Sequence, residues 1–185
     1  MIIKLRNPFT DTYLGFKQFV TSEDFTWFNS KTFDSLPGTP INIPEGWDRK
    51  DFGSHTLFGH NILSRPEPRR YSAPFSDQID NMVGIFTELI NSGQIDNNSF
   101  LLRSCVNLTT PWNRTGPKYS YPHTDHAFDH TNMIMYLTDA GGRTFVEGES
   151  HDPKEDDIIL FKGTHWSELP ETENRIVVVS TFITW

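Results

Sequence analysis

The residues best suited to chemistry lie between positions 121 and 132, in the segment YPHTDHAFDHTN. Three histidines and two aspartates occur there within residues 123 to 130. Imidazole nitrogens and carboxylate oxygens bind divalent metal ions, and histidine also exchanges protons near neutral pH. Because five such side chains cannot all serve one site, the backbone conformation of the segment must decide which of them converge.

One metal-binding arrangement requires a helix, in which His126 and His130 lie one turn apart and share a metal ion. Ala127 stands where that zinc pattern has its catalytic Glu. A helix this short, placed between Pro122 and the strand-like residues 133–137, is also unfavourable. A polar loop without a catalytic or binding role is a further interpretation of the same residues.

The other arrangement requires an extended chain, in which His123 and Asp125 project from the same face. One imidazole and one carboxylate are two thirds of a 2-His-1-carboxylate facial triad, the ligand set of non-haem Fe(II) oxygenases. The third ligand must be a histidine from a distant strand, and His165, after the apolar run at 157–161, is the candidate. The other titratable residues of the segment are then expected in the loop or at the rim: His126, Asp129 and His130.

A single cation occurs in the last apolar run, NRIVVVSTFITW. Arg175 lies ten residues after His165, and an unpaired charge in a buried strand costs free energy. The guanidinium therefore implies an anionic partner, and its planar fork suits a carboxylate. The alternative is an ordinary salt bridge to Glu171, Glu173 or another acidic residue.

Taken in order, these features resemble the iron(II) and 2-oxoglutarate-dependent dioxygenases, in particular the prolyl-4-hydroxylase-like branch. The resemblance covers roughly residues 99 to 184. The features that carry it are HTD at 123–125, MYL at 135–137, GGRTFVEG at 141–148, DDIILF at 156–161, and then His165 and Arg175. Departures from the family pattern occur at Thr138, Arg143 and Val177.

The resemblance implies a ligand set and a reaction. It implies that His123, Asp125 and His165 bind Fe(II), that Arg175 binds the far carboxylate of 2-oxoglutarate, and that Tyr136 hydrogen-bonds to it. O2 is the other cosubstrate, 2-oxoglutarate is converted to succinate, and an unidentified substrate is hydroxylated: a prolyl or other residue of a protein or peptide, or a small molecule. Further candidates for polar contacts to cosubstrate or substrate are Asn107, Tyr119 and Tyr121. The carboxylate of Asp125 argues against halogenation, and a non-enzymatic metal-binding jelly roll is the alternative function.

Short apolar runs must position these residues. From residue 99 on they alternate with turn residues, as in an antiparallel barrel or sandwich, and the runs are 99–108, 131–138, 143–147, 157–161 and 174–185. Residues 139–142, with two glycines, predict a hairpin between Leu137 and Thr144. The segment 112–121 is expected to be either a loop that covers the substrate or a structural crossover.

Two helices and one extra strand are predicted before residue 99. Residues 76–93 carry an apolar stripe at helical spacing, with Ser76 as N-cap. A second helix is predicted to begin near Thr21 or Ser22, with its apolar residues on the buried face. Residues 55–63 predict the extra strand. With the resemblance, the fold class is mainly β with flanking α: a double-stranded β-helix, or jelly roll, backed by helices.

Length, composition and charge indicate the number of domains, the kinds of partner and the location to expect. The chain has 185 residues, of which 36% are hydrophobic, enough for one domain with its own core. We expect a jelly-roll core at about 99–185, with supporting strands and helices at 1–98. A formal charge of −8 argues against a nucleic-acid or anionic-membrane surface. The apolar runs are too short for a signal peptide or a membrane span, so a cytoplasmic location is expected.

Overall fold

The structure is a computed structural model, and it describes residues 1–30, 43–66 and 71–185. Strands dominate these ranges, which also contain the helices α1 (Asp11–Val20) and α2 (Ile79–Asn91) and a short 3₁₀ helix at Arg49–Asp51. The strands are β1 (Ile3–Leu5), β2 (Phe28–Ser30), β3 (Phe52–Gly53), β4 (Leu57–Leu63), β5 (Ser99–Thr109), β6 (Tyr119–Ser120), β7 (Thr131–Tyr136), β8 (Thr144–Val146), β9 (Glu149–His151), β10 (Ile158–Phe161), β11 (His165–Ser167) and β12 (Arg175–Thr184).

The described strands form two antiparallel sheets and one short parallel pair. The major sheet has the order β1-β10-β7-β12-β5-β4-β2, the minor sheet has the order β11-β8-β9, and β3 pairs with β6. Apolar side chains from both sheets meet in one cluster: Ile134, Tyr136, Val146, Ile159, Phe161 and Val177. This sandwich, mainly β with flanking helices, confirms the predicted jelly-roll fold class.

Strand alternation gives the major sheet two different faces. On β12, Arg175 and Val177 point towards the minor sheet, whereas Ile176 and Val178 belong to the larger core beneath the helices. Both helices pack on that larger core through buried side chains: Tyr13, Phe16, Val20, Met82, Ile85, Phe86 and Leu89. The helices therefore cover one face of the sheet and leave the other face to line the interior of the sandwich.

The predictions for the N-terminal elements hold in part. The extra strand at 55–63 is found as β4, and the helix within 76–93 is found as α2. Ser76 is not its N-cap, because the helix begins at Ile79 and Gln78 occupies the N-cap position. The Ser76 hydroxyl accepts a hydrogen bond from the amide of Gln78 (3.2 Å) in the turn before the helix.

The predicted helix starting near Thr21 or Ser22 is wrong. A helix, α1, ends there instead: Thr10 caps its first turn and Thr21 caps its last. The amide and the hydroxyl of Thr21 both donate to the carbonyl of Lys17, at 3.0 and 2.9 Å, at the point where the helix ends. Phe25 is buried, as the apolar pattern required, but it lies in a turn.

The predicted hairpin at 139–142 is also wrong. Its turn chemistry is present, since Gly141 and Gly142 have positive φ angles of 69° and 80°. However, β7 pairs with β10 and β12 in the major sheet, whereas β8 pairs with β9 and β11 in the minor sheet. The turn therefore carries the chain from one sheet to the other. A Cβ on Gly142 would lie 2.7 Å from the carbonyl oxygen of Glu168, so this passage has no room for a side chain.

No helix in the described parts of the chain is long and apolar enough to cross a membrane.

We expect Ile85→Ala to lower the free energy of unfolding by about 2–5 kcal/mol, because Ile85 is fully buried between α2 and the sheet. The matched control is Val83→Ala on the same helix, whose side chain is 46% exposed and whose loss should change the stability by less than about 0.5 kcal/mol. Urea denaturation of both variants measures the difference. Equal losses in the two would contradict the packing of α2 described above.

Candidate functional site

The two histidines of the predicted triad lie on paired backbone segments. His123 forms an isolated antiparallel bridge with His165, the first residue of β11. Each backbone amide donates to the other residue's carbonyl at 3.0 Å. Residues in such a pair project their side chains from the same face, and the two rings are 4.4 Å apart between centroids. Backbone pairing thus fixes the positions of both rings.

Asp125 completes a group of three possible metal ligands. One ligand atom from each of His123, Asp125 and His165 lies within 4.8 Å of the other two. The carboxylate oxygen Oδ2 of Asp125 is 3.6 Å from Nε2 of His165, and it is buried without a hydrogen-bond partner among the described residues. A buried carboxylate oxygen without a donor is costly unless a cation binds it.

The protonation of the two histidine rings also suits metal binding. Nδ1 of His123 lies 2.9 Å from the carbonyl of Tyr121, and Nδ1 of His165 lies 3.4 Å from the carbonyl of Gly163. A carbonyl only accepts hydrogen bonds, so the proton of a neutral ring is on Nδ1 and Nε2 keeps a lone pair. Burial, followed by the charge of His123, lowers the pKa of His165 to about 3, so His165 is neutral at pH 7, as a ligand must be.

The other carboxylate oxygen of Asp125 is held by two arginines. Nη1 of Arg103 donates to Oδ1 at 2.6 Å, and Nη2 of Arg65 donates to the same atom at 3.2 Å. Burial alone would raise the pKa of Asp125, but His165 and the Arg103 guanidinium lower it to about 2. The carboxylate is therefore ionised at pH 7, with Oδ1 occupied and Oδ2 directed to the histidines.

Neither arginine was predicted from the sequence as part of the site. Arg103 lies in the middle of β5 and is only 8% exposed. A cation in a buried apolar run needs an anion, and on that ground Arg103 could have been selected together with Arg175. Arg65 follows β4 in a proline-containing segment, where no periodic pattern indicates which way its side chain points.

A second polar group lies where β7, β8 and β12 meet. The hydroxyl of Tyr136 donates to the Thr144 hydroxyl at 2.7 Å, and Nη2 of Arg175 donates to the same oxygen at 3.1 Å. The Arg175 guanidinium also lies over the Tyr136 ring, 5.3 Å from its centroid. Burial raises the pKa of Tyr136, so its hydroxyl stays protonated and can donate.

Arg175 has no ion-pair partner among the described residues, and its Nε is buried without a hydrogen bond. The alternative of a salt bridge to Glu171 or Glu173 is therefore wrong: both glutamates are exposed. A buried guanidinium without an anion is an incomplete site.

One cavity joins the two polar groups. His123, Asp125, His165 and Arg175 line it, and so does Asn107 of β5. Its walls between the polar groups are apolar side chains: Ile134, Val177 and Val179. Tyr119 and Tyr121 do not line this cavity as the described residues form it, and their rings pack with Phe52, Phe145 and Trp166 instead.

Segment 112–121 has the contacts of a structural crossover rather than of a free covering loop. The amide of Trp112 donates to the carbonyl of Pro170 (2.8 Å), and the amide of Lys118 donates to the carbonyl of Asp51 (3.1 Å). A Cβ on Gly53 would lie only 2.4 Å from Cγ of Pro117, so the segment packs tightly against β3.

Comparison with known proteins shows which solved structures share this fold. No protein-family model and no curated protein sequence matches the chain. Among solved structures, the non-haem α-ketoglutarate-dependent epimerase SnoN from nogalamycin biosynthesis matches with a TM-score of 0.60 and 11% identity, over 99% of this chain and 78% of that one. The fold is that of the 2-oxoglutarate and Fe(II)-dependent oxygenases.

Two further structures agree. A prolyl hydroxylase from Trichoplax adhaerens, in complex with a peptide fragment of the hypoxia inducible factor oxygen degradation domain, matches with a TM-score of 0.55 and 11% identity, over 99% of this chain and 83% of that one. A 2OG-Fe(II) oxygenase family protein from Burkholderia pseudomallei matches with a TM-score of 0.53 and 12% identity, over 71% of this chain and 70% of that one. Identities this low show the oxygenase fold alone, so the roles of the residues rest on the site itself.

Two other residues of the histidine-rich segment are not rim residues. His126 and His130 are 7% and 6% exposed, with ring centroids 4.7 Å apart, and Nε2 of His126 lies 2.7 Å from the Thr181 hydroxyl on β12. Burial, followed by the charge of His130, lowers the pKa of His126 to about 4. Asp129 is exposed and pairs with Lys162 (2.8 Å). His126 and His130 lie in the loop before β7, as expected, but their rings are buried and not at a rim.

We expect Arg103→Ala to weaken Mn(II) binding by about 10- to 100-fold, because groups that orient a metal ligand contribute affinity on this scale. Calorimetric titration of the folded variant measures the effect, and Arg6→Ala, which removes an exposed arginine, is the control. Tighter binding in Arg103→Ala would mean that the guanidinium acts mainly by repelling the metal ion.

His126→Ala is expected to leave Mn(II) affinity unchanged and to lower the free energy of unfolding by about 0.5–1.5 kcal/mol, because the change removes one buried hydrogen bond. The same titration and urea denaturation measure both quantities. Loss of metal binding with retained folding would restore the arrangement in which His126 and His130 share the metal ion.

Proposed function

We propose that this protein is an iron(II) and 2-oxoglutarate-dependent oxygenase whose metal ligands are His123, Asp125 and His165. The observation that carries the proposal is one cavity with two incomplete polar groups. At one point of its wall three ligand atoms converge around a carboxylate oxygen that has no hydrogen-bond partner among the described residues. At another point lies the buried Arg175 guanidinium, which has no anion among the same residues. A divalent cation and a dicarboxylate would complete both groups.

The donor set fits iron(II). Two imidazole nitrogens and one carboxylate leave coordination positions open, which is the pattern of non-haem Fe(II) oxygenases. When bound, the iron supplies the O2 chemistry that converts 2-oxoglutarate to succinate and CO2 and hydroxylates a C–H bond of the substrate. Asp125 occupies the position that has to be small in a halogenase, so hydroxylation is the proposed outcome.

The chain itself binds and orients 2-oxoglutarate and excludes water. Arg175 provides Nε and the rest of its fork to the far carboxylate of 2-oxoglutarate, with the Tyr136 and Thr144 hydroxyls beside it. We assign Asn107 a polar contact to the cosubstrate from the neighbouring strand β5, where it pairs with Val177. The apolar walls between the polar groups reduce local water and strengthen these charged contacts.

The proposed reaction class is compatible with either a peptide or a small molecule as the substrate. Among the structural matches, one prolyl hydroxylase is bound to a peptide, and SnoN is described in complex with nogalamycin RO. A non-enzymatic metal-binding jelly roll would use the same triad, but it gives the buried, unpaired Arg175 no function.

We expect Mn(II)-loaded protein to bind 2-oxoglutarate and Arg175→Gln to weaken that binding by about 10- to 100-fold, because a charge-assisted pair to the carboxylate is lost. Isothermal titration calorimetry measures the binding, with Arg6→Gln as the control. With Fe(II) and O2, the wild-type protein is expected to form succinate slowly without a substrate, and Arg175→Gln to form less.

Protein that is folded and binds Mn(II), yet does not bind 2-oxoglutarate, would contradict the oxygenase proposal. It would support the metal-binding module instead.

A further inference from the structure

Two guanidinium groups share one carboxylate at the edge of the metal site. Arg103, from β5, and Arg65, from the segment after β4, both donate to Oδ1 of Asp125. Among the described residues, neither arginine has another carboxylate partner. The group therefore carries one excess positive charge, although the whole protein carries a formal charge of −8.

The two arginines differ in how far their donors are satisfied. Arg103 is buried, and its second terminal nitrogen donates to Sγ of Cys105 at 3.3 Å. The side chain of Arg65 is 41% exposed, and only its Nη2 donates to a described residue. Arg65 thus has further donors that have no partner among the residues the structure describes.

A second cavity opens at these donors. Arg65 and Arg103 both line it, and Arg103 also lines the cavity that contains the proposed metal ligands. The two cavities therefore adjoin at the Arg103 side chain, next to Asp125. A group bound to Arg65 would lie beside the metal site without occupying the position of the 2-oxoglutarate carboxylate at Arg175.

Exposed aromatic rings flank the second cavity. Tyr71 is 97% exposed and Phe75 is 73% exposed, and both line it. Phe75 also lines a neighbouring groove, together with Phe28, which is 60% exposed. Solvent-exposed aromatic side chains grouped around a cation are typical of a binding surface for a ligand with both an apolar and an anionic part.

We propose that Arg65, supported by Arg103, binds the oxyanion of an organic substrate that carries a carboxylate or a phosphate on an apolar or aromatic body. This inference rests on the proposed oxygenase function, because it identifies the second cavity as the substrate's position beside the metal. The anion offsets the excess charge of the arginine pair, and the apolar part contacts Phe75. Anchored there, the substrate presents a neighbouring C–H bond to the metal site.

Three aromatic probes of similar size test the inference. Benzoate carries a carboxylate, phenyl phosphate carries a phosphate, and benzamide is the neutral counterpart of benzoate. Their proton NMR line widths are measured with wild-type protein, saturating 2-oxoglutarate, and either paramagnetic Mn(II) or diamagnetic Zn(II). We expect Mn(II) to broaden the ring protons of benzoate or phenyl phosphate and not those of benzamide. The more strongly bound probe identifies the oxyanion.

Arg65→Gln is expected to weaken binding of the anionic probe at least about tenfold, since a charge-assisted hydrogen bond is lost. Arg65→Lys should retain part of the binding, and Arg6→Gln should retain all of it. Because Arg65 is partly exposed, its variants are expected to fold, which thermal denaturation checks. Equal broadening by benzamide, or undiminished binding in Arg65→Gln, would overturn the inference.

A second experiment distinguishes failure of the oxygenase proposal from failure of the oxyanion site. If calorimetry shows no 2-oxoglutarate binding, the probe titration is repeated in Arg175→Gln and in Arg65→Gln without cosubstrate. Loss of probe binding only in Arg65→Gln would support the oxyanion site even though the oxygenase assignment fails. Loss only in Arg175→Gln would overturn the oxyanion site.

Discussion

The ion pair between Arg103 and Asp125 is the interaction on which the geometry of the site depends. Asp125 is 2% exposed, and a carboxylate that far from water is stable only with charged or hydrogen-bonding partners. The 2.6 Å contact to Arg103 supplies such a partner and leaves the second carboxylate oxygen for the histidines. Removing one member of a buried pair costs more than the pair contributes, because the other charge is left alone.

The position of Arg103 is in turn set by the longest strand pairing in the fold. Strand β5 pairs with β12, and this register places Arg103 opposite Thr181 and Thr109 opposite Arg175. A slip of one residue would turn Arg103 towards the helices and out of the interior. The packing of α1 and α2 on the other face opposes such a slip, since it fixes which residues of β12 are buried beneath the helices. Helix packing far from the cavity therefore determines the direction of a carboxylate within it.

Sequence patterns predicted the features that depend on side-chain alternation and on residue order along the chain. They did not predict the features that depend on long-range strand pairing or on the burial of single side chains. The HxD spacing selected His123 and Asp125, and chain order selected His165, three residues that the structure places within 4.8 Å. The glycine turn at 141–142 was recognised, but no local signal shows that the strands on its two sides belong to different sheets. Arg65 lies just after β4, and no local pattern indicates that it approaches Asp125.

The burial of His126 was not predictable for a related reason. A histidine in a polar loop has the same sequence signature whether its ring faces water or the interior. In this protein the ring reaches the Thr181 hydroxyl on the central strand β12. That contact depends on how the loop before β7 folds back onto the sheet, which residues 121–132 alone do not encode.

The same strand register separates the two groups that we propose bind anions. Arg175 and Thr181 lie six residues apart on β12, and Arg103 stands opposite Thr181. Six residues of strand span roughly 20 Å of backbone. The apolar side chains of Val177 and Val179 lie between these ends, and the three proposed ligands face the same cavity. A dicarboxylate bound at Arg175 and an oxyanion bound at Arg65 would therefore approach the proposed metal ligands from different ends. In a protein with a formal charge of −8, the local guanidinium at each end, rather than the overall field, has to provide the attraction for its anion.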